Sequence, residues 1–163
     1  MRPKARCPIV VPEGKGRFFD VFGEKITMKI EGETTEGRFA IFEEVSPAGG
    51  GPPPHQHHET DEIFCIIEGR FEIQCGDQFF ELGPGDVAYL PKGVPHVVQC
   101  VSDTRGRFLA IVTPAGLEQF FDEVHRRSED GELDPREAAE LARQYDVEIL
   151  PPSAEVLGTE AEE

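Results

Sequence analysis

Seventeen glycines and fourteen prolines punctuate this chain of 163 residues. Between Gly32 and Pro114 they fall in clusters: 32–37, 46–54, 68–70, 76–78, 83–86 and 91–93. Glycine supplies the backbone angles of tight turns, and proline removes a ladder donor, so neither belongs inside a central strand. What lies between the clusters is short and apolar, as strands are. Ile26, Met28 and Ile30 alternate with Thr27 and Lys29, and further runs cover 39–45, 63–67, 71–75, 79–82, 87–90, 96–101 and 108–112. Many short strands with frequent turns predict an all-β sandwich or barrel. Ile63 to Ile67 is apolar on both faces, which predicts an interior on one side and a second layer on the other. Glu68-Gly69-Arg70 reads as a hairpin, which would set Cys65 and Cys75 on neighbouring strands.

The pattern changes after Pro114. Leu117, Phe120, Phe121 and Val124 recur at helical spacing and predict a packing face rather than a cofactor box. Asp134-Pro135-Arg136-Glu137 is a helix start with Asp as N-cap and Pro at N1, followed by Ala138, Leu141, Ala142 and Tyr145 as the buried side. The expected organisation is an N-terminal arm at 1–19, one β-barrel domain at 20–115, and a C-terminal helical extension with an acidic tail at 116–163. One domain suits this length.

The formal charge is −16, with Glu155, Glu160, Glu162 and Glu163 at the C-terminal end. Such a surface repels nucleic acid and anionic lipid. No apolar run is long enough to span a bilayer and no apolar signal region follows the basic N-terminus, so the expectation is a cytoplasmic protein with neither nucleic-acid nor membrane partners. Cys7, Cys65, Cys75 and Cys100 form no C-x-x-C pair and are expected as free thiols. Gly49-Gly50-Gly51 lacks the Lys-Ser/Thr of a phosphate loop, and Gly14-x-Gly16 lacks a third glycine.

Two stretches carry chemistry: Gly49-x5-His55-x-His57-x4-Glu62-x6-Gly69, and Gly85-x5-Pro91-x-Gly93-x2-His96. On extended chain His55 and His57 share a face. Glu62 stands at an odd offset from them, so it joins them only across a bend at 58–61, where the residues are polar. Three imidazoles and a carboxylate suit one divalent transition-metal ion, Fe, Mn, Co, Ni, Cu or Zn. Four such ligands leave a position open, and a closed structural zinc site more often contains cysteine. The simpler reading of any one of these histidines is a surface residue; the four together reverse it. His58 reads as a surface or supporting residue, Glu59 as a competing carboxylate, and His125 as a solvent-facing imidazole. Cys100, four residues past His96, lies about 13 Å along a strand and cannot share its ion.

These stretches resemble the paired motifs of the cupin superfamily, matching at Gly49, His55, His57, Glu62, Gly69, Gly85, Pro91, Gly93 and His96; the final position, usually Asn, is Cys100 here. The layout is similar to single-domain quercetin 2,3-dioxygenase-like cupins. The resemblance implies a jelly-roll β-barrel with two short C-terminal helices. It implies metal ligation by His55, His57, Glu62 and His96, with Glu62 doubling as the base for a bound hydroxyl or enol. Phe64, Ile66, Val98 and Cys100 are expected as the pocket wall, and burial beside Phe64 as a lift on the Glu62 pKa. The leading expectation is an oxidoreductase acting on a small phenolic or enolic substrate. The alternative is a non-catalytic sensor or carrier; a sugar isomerase or epimerase ranks last, because the wall reads as too apolar. A homodimer is expected, to cover 63–67 and Phe18, Phe19 and Phe22.

Overall fold

The computed structural model describes residues 7–131 and 133–152; the acidic tail lies outside them. Among these residues eleven strands form two antiparallel sheets. The strands are β1 (Arg17–Val21), β2 (Glu24–Ile30), β3 (Ala40–Ser46), β4 (His55–Gln56), β5 (Asp61–Glu68), β6 (Phe71–Cys75), β7 (Gln78–Leu82), β8 (Val87–Leu90), β9 (His96–Cys100), β10 (Gly106–Thr113) and β11 (Glu148–Ile149). One sheet has the order β1-β2-β3-β10-β5-β8 and the other β11-β4-β9-β6-β7. The turn spacing predicts such an all-β sandwich, and the resemblance implies its jelly-roll form; among the described residues two helices, α1 (Leu117–Asp130) and α2 (Pro135–Arg143), follow the last long strand.

Alternation fills the interior. Ile26 and Met28 of β2, Phe42 of β3, Phe64 and Ile66 of β5, Ile73 of β6, Val98 of β9, and Phe108, Ala110 and Val112 of β10 are buried in one core. Inward polar positions are few, so Glu24, Glu44 and Ser46 stand out: all three are buried on β2 and β3. α1 lays Leu117, Phe120, Phe121 and Val124 against this core, with the Phe121 ring 5.0 Å from Phe42. α2 is capped by the Asp134 carboxylate, which accepts from Arg136 N at 2.7 Å.

Several expectations change. Arg17–Phe19, expected in the arm, belong to β1. Glu68-Gly69-Arg70 turns the chain but makes no hairpin, because β5 and β6 lie in different sheets. Cys65 and Cys75 are therefore not on paired strands, and both are free thiols. Among the described residues no second layer covers the outer face of β5: Ile63 and Cys65 are half-buried and Ile67 is 39% exposed. His125 is not simply solvent-facing. Its Nδ1 accepts from Asp20 N at 3.0 Å, and its ring packs edge-on to Phe18 and Phe19.

Candidate metal centre

The centre is built where the two sheets face each other. A stiff loop delivers the first ligand. Gly49 N donates to Cys100 O, and Cys100 N donates back to Gly50 O, so the glycines lie flat on β9. At Gly51, with φ 153°, an added Cβ would stand 2.0 Å from Val98 O. Only glycine permits that approach. Pro52, Pro53 and Pro54 then carry the chain into β4, where His55 pairs directly across from His96 of β9. Cross-strand neighbours of this kind hold side chains about 5 Å apart, and the two Nε2 atoms stand 3.1 Å apart.

The bend needed after His57 is present and has a partner. The Asp146 carboxylate accepts from His58 N, Glu59 N and Thr60 Oγ1 at 2.8–3.2 Å. That turn resets the alternation, so Glu62 on β5 faces the histidines. Its Oε2 lies 3.0 Å from His96 Nε2 and 3.5 Å from His57 Nε2. One ligand atom from each of His55, His57, Glu62 and His96 falls within 4.8 Å of all the others, and all four residues are buried. Opposed ligands at about 2.1 Å from an ion stand about 4.2 Å apart, so fractional shifts close the set on one cation.

Tautomers decide what these rings offer. His55 Nδ1 lies 2.8 Å from Pro53 O, His57 Nδ1 3.0 Å from Asp146 O, and His96 Nδ1 3.1 Å from Val94 O. A carbonyl only accepts, so each Nδ1 carries the hydrogen and donates it. Each Nε2 is then a bare lone pair aimed at the others. Facing lone pairs 3.1 Å apart repel, and a cation between them removes the conflict. His57 Nε2 and Glu62 Oε2 are in addition buried without a hydrogen-bond partner, a cost that coordination relieves. The donor set therefore fits a single divalent transition metal.

Electrostatics agree. Burial, then the His96 ring, push the His55 pKa down to about 3, so it is a neutral donor at ordinary pH. Burial pushes the Glu62 carboxyl up, as the sequence suggests, but in the metal-free centre a proton on His96 Nε2, donated to Oε2 at 3.0 Å, and the positive charge of protonated rings outweigh it and hold the group at about 2. A cation would take the place of those protons once the nitrogens are bare. The expected lift on Glu62 is thus overturned.

An apolar cavity of about 90 Å³ opens on this cluster. Phe64 and Val98 line it, whereas Ile66 and Cys100 are buried outside its lining. Phe42, Phe108, Leu117, Phe120 and Phe121 complete the apolar wall, so the helical stripe of α1 is lining as well as packing. Cys100 Sγ instead points at Thr104 O, 3.6 Å away. His58 Nε2 pairs with Glu148 at 2.8 Å and Glu59 with Lys92 at 3.3 Å, so neither faces the cluster. Asp146 and Glu148 escape a reading of the sequence because they lie 86–92 residues from their partners.

Residues 41–112 match the profile of the cupin domain family. Among curated proteins, the chain is 24% identical over 143 residues to quercetin 2,3-dioxygenase of Bacillus subtilis, a match covering 87% of this chain and 42% of that protein. It is 28% identical over 75 residues to an uncharacterized protein of Methanocaldococcus jannaschii, covering 46% of this chain and 60% of the relative. The chain thus spans about half the length of these relatives. Among solved structures, KdgF from Halomonas sp. is similar at a TM-score of 0.61 and 18% identity, covering 69% of this chain and 99% of that one. Among the described residues, no helix is long and apolar enough to cross a membrane.

Proposed function

We propose that this protein is a metal-dependent dioxygenase acting on a small phenolic or enolic substrate, with His55, His57, Glu62 and His96 as the metal ligands. The observation that carries this reading is the joining of three convergent imidazoles and a buried carboxylate to a largely apolar cavity. The similarity to a quercetin 2,3-dioxygenase along most of the chain supports it. A bound divalent ion would supply Lewis acidity and a route for electrons between an enolate and dioxygen. The apolar wall, with Phe64, Phe108 and Phe121, flanks a flat ring and excludes water. Glu62, held low, accepts the proton of the substrate hydroxyl only while that hydroxyl is itself acidified, so proton transfer and substrate docking are coupled. A small molecule is the expected partner, and the acidic surface disfavours nucleic acid.

The test begins with elemental analysis of protein purified without chelators, followed by oxygen uptake with flavonols, diketones and catechols. One metal per chain and oxygen consumption with an enolic substrate are expected. His57→Ala and His96→Ala should each lower metal affinity by more than the roughly 10–100-fold that outer partners cost, with the fold intact by circular dichroism. Metal content unchanged in both variants overturns the assignment. Saturable binding without oxygen uptake assigns the protein instead as a carrier or sensor.

A further inference from the structure

The cavity wall that reads as apolar in the sequence carries two acids. Glu24 and Glu44 sit on β2 and β3 and both line the cavity. They are 5% and 7% exposed. Ile26 lies directly across from Glu44, so Glu24, two residues earlier, is the diagonal neighbour on the same face. The two carboxyls lie within hydrogen-bonding reach of each other. The Ser46 hydroxyl and the Gly51 N–H also approach Glu24, yet Glu24 Oε2 and Ser46 Oγ, the latter residue 1% exposed, are left without a hydrogen bond of good geometry. Unpartnered polar atoms inside a protein are costly, and no ligand of the metal centre uses these.

Their place in the fold is informative. Glu44 lies in register with Phe108 and Ile66, while Glu62 lies in register with Val112 and Ala40. The row of Phe42, Ala110 and Phe64 separates them. The cavity therefore has polar groups at two ends and phenyl rings between. Burial raises both carboxyls above the ordinary range: for Glu24 it outweighs the hydrogen bonds offered by Ser46, Gly51 and Glu44, and for Glu44 it is joined by the charges of Glu24 and Glu62, which lift it well above. Two adjacent acids in such a place retain a proton between them, so the pair both donates and accepts while keeping negative character.

We propose that Glu24 and Glu44 form a second polar subsite that hydrogen-bonds a hydroxyl group on the end of the ligand remote from the metal centre. The subsite admits neutral hydroxylated rings and turns away acids, because a carboxylate there meets like charge without water to screen it. This deepens the proposed function and rests on it: the first polar end of the ligand is taken to meet the metal cluster.

Three compact hydroxypyranones differ at one ring substituent and share the metal-chelating enolone. Allomaltol carries methyl, kojic acid hydroxymethyl and comenic acid carboxylate. Each is titrated calorimetrically into metal-loaded wild-type protein and into E24Q and E44Q. Kojic acid should bind wild type about tenfold more tightly than allomaltol, as a hydrogen bond to a charged group gives, and comenic acid most weakly. The kojic-to-allomaltol ratio should fall toward one in E24Q or E44Q, with comenic acid gaining affinity and allomaltol unchanged. Allomaltol binding with equal kojic acid affinity in wild type overturns the subsite and leaves the proposed function standing. No binding of any of the three to metal-loaded wild type overturns both. The wild-type ranking needs no variant, so a variant that fails to fold does not protect the proposal.

Discussion

At the scale of single residues, the buried groups divide by the direction in which burial and neighbours move them. Glu44 is pushed up, first by burial and then by the charges of Glu24 and Glu62. In the unfolded chain it ionises near pH 4.3, while the folded chain keeps its proton. Its stabilising contribution is therefore complete below that pH and is lost as pH rises toward the raised folded value. Glutamine holds the same shape with no proton to retain. The stability of E44Q relative to wild type, from urea unfolding of metal-free protein, should rise from pH 4 to pH 8. A flat difference means Glu44 is ionised in the fold. Asp146 offers a second residue-scale prediction. Its carboxylate serves three donors in the turn between His57 and Glu62. D146A should cost about 1–3 kcal/mol by thermal unfolding and weaken metal binding about 10-fold without removing a ligand.

Elements explain what the sequence discloses and what it conceals. The four ligands are legible because each is set by a local turn: Gly51 lets the loop lie on β9, and the polar run at 58–61 makes the bend. Pairing between distant strands is not local. Glu68-Gly69-Arg70 specifies a reversal but not that β6 joins β9 and β7 instead of β5. Glu43-Glu44 looks like a solvated pair until β3 is placed beside β10, which turns Glu44 inward. The helix α1 shows the same limit, since its apolar spacing is plain but its position over the cavity is not. Phe121 touches Phe19 and Phe42 and lines the cavity. F121A should cost about 3 kcal/mol by denaturant unfolding and loosen discrimination by ligand size. An unchanged midpoint would mean that α1 packs only loosely on the barrel.

For the whole molecule, the outer surface is the unfinished part. Val87 and Tyr89 on edge strand β8 are 62% and 61% exposed, and Ile67 lies on the same outer face of the neighbouring β5. Exposed apolar edges of this kind invite pairing with another chain. The expectation of a homodimer named strand 63–67 and the Phe-rich N-terminal segment; Ile67, Phe18 and Phe22 are exposed, while Phe19 is already buried against α1. Sedimentation of wild type should show a concentration-dependent dimer, and V87E/Y89E should sediment as a monomer with its metal retained. A monomer at every concentration of wild type removes the expectation.

The oxygens that fix the three ring tautomers belong to the main chain of Pro53, Val94 and Asp146. Replacing a side chain does not delete a peptide carbonyl. Sequence drift at those three positions therefore leaves the orienting oxygens in place, provided the path of the backbone holds. Descendants of this chain can change the occupant of the cavity faster than they can lose the means of presenting nitrogen to a cation.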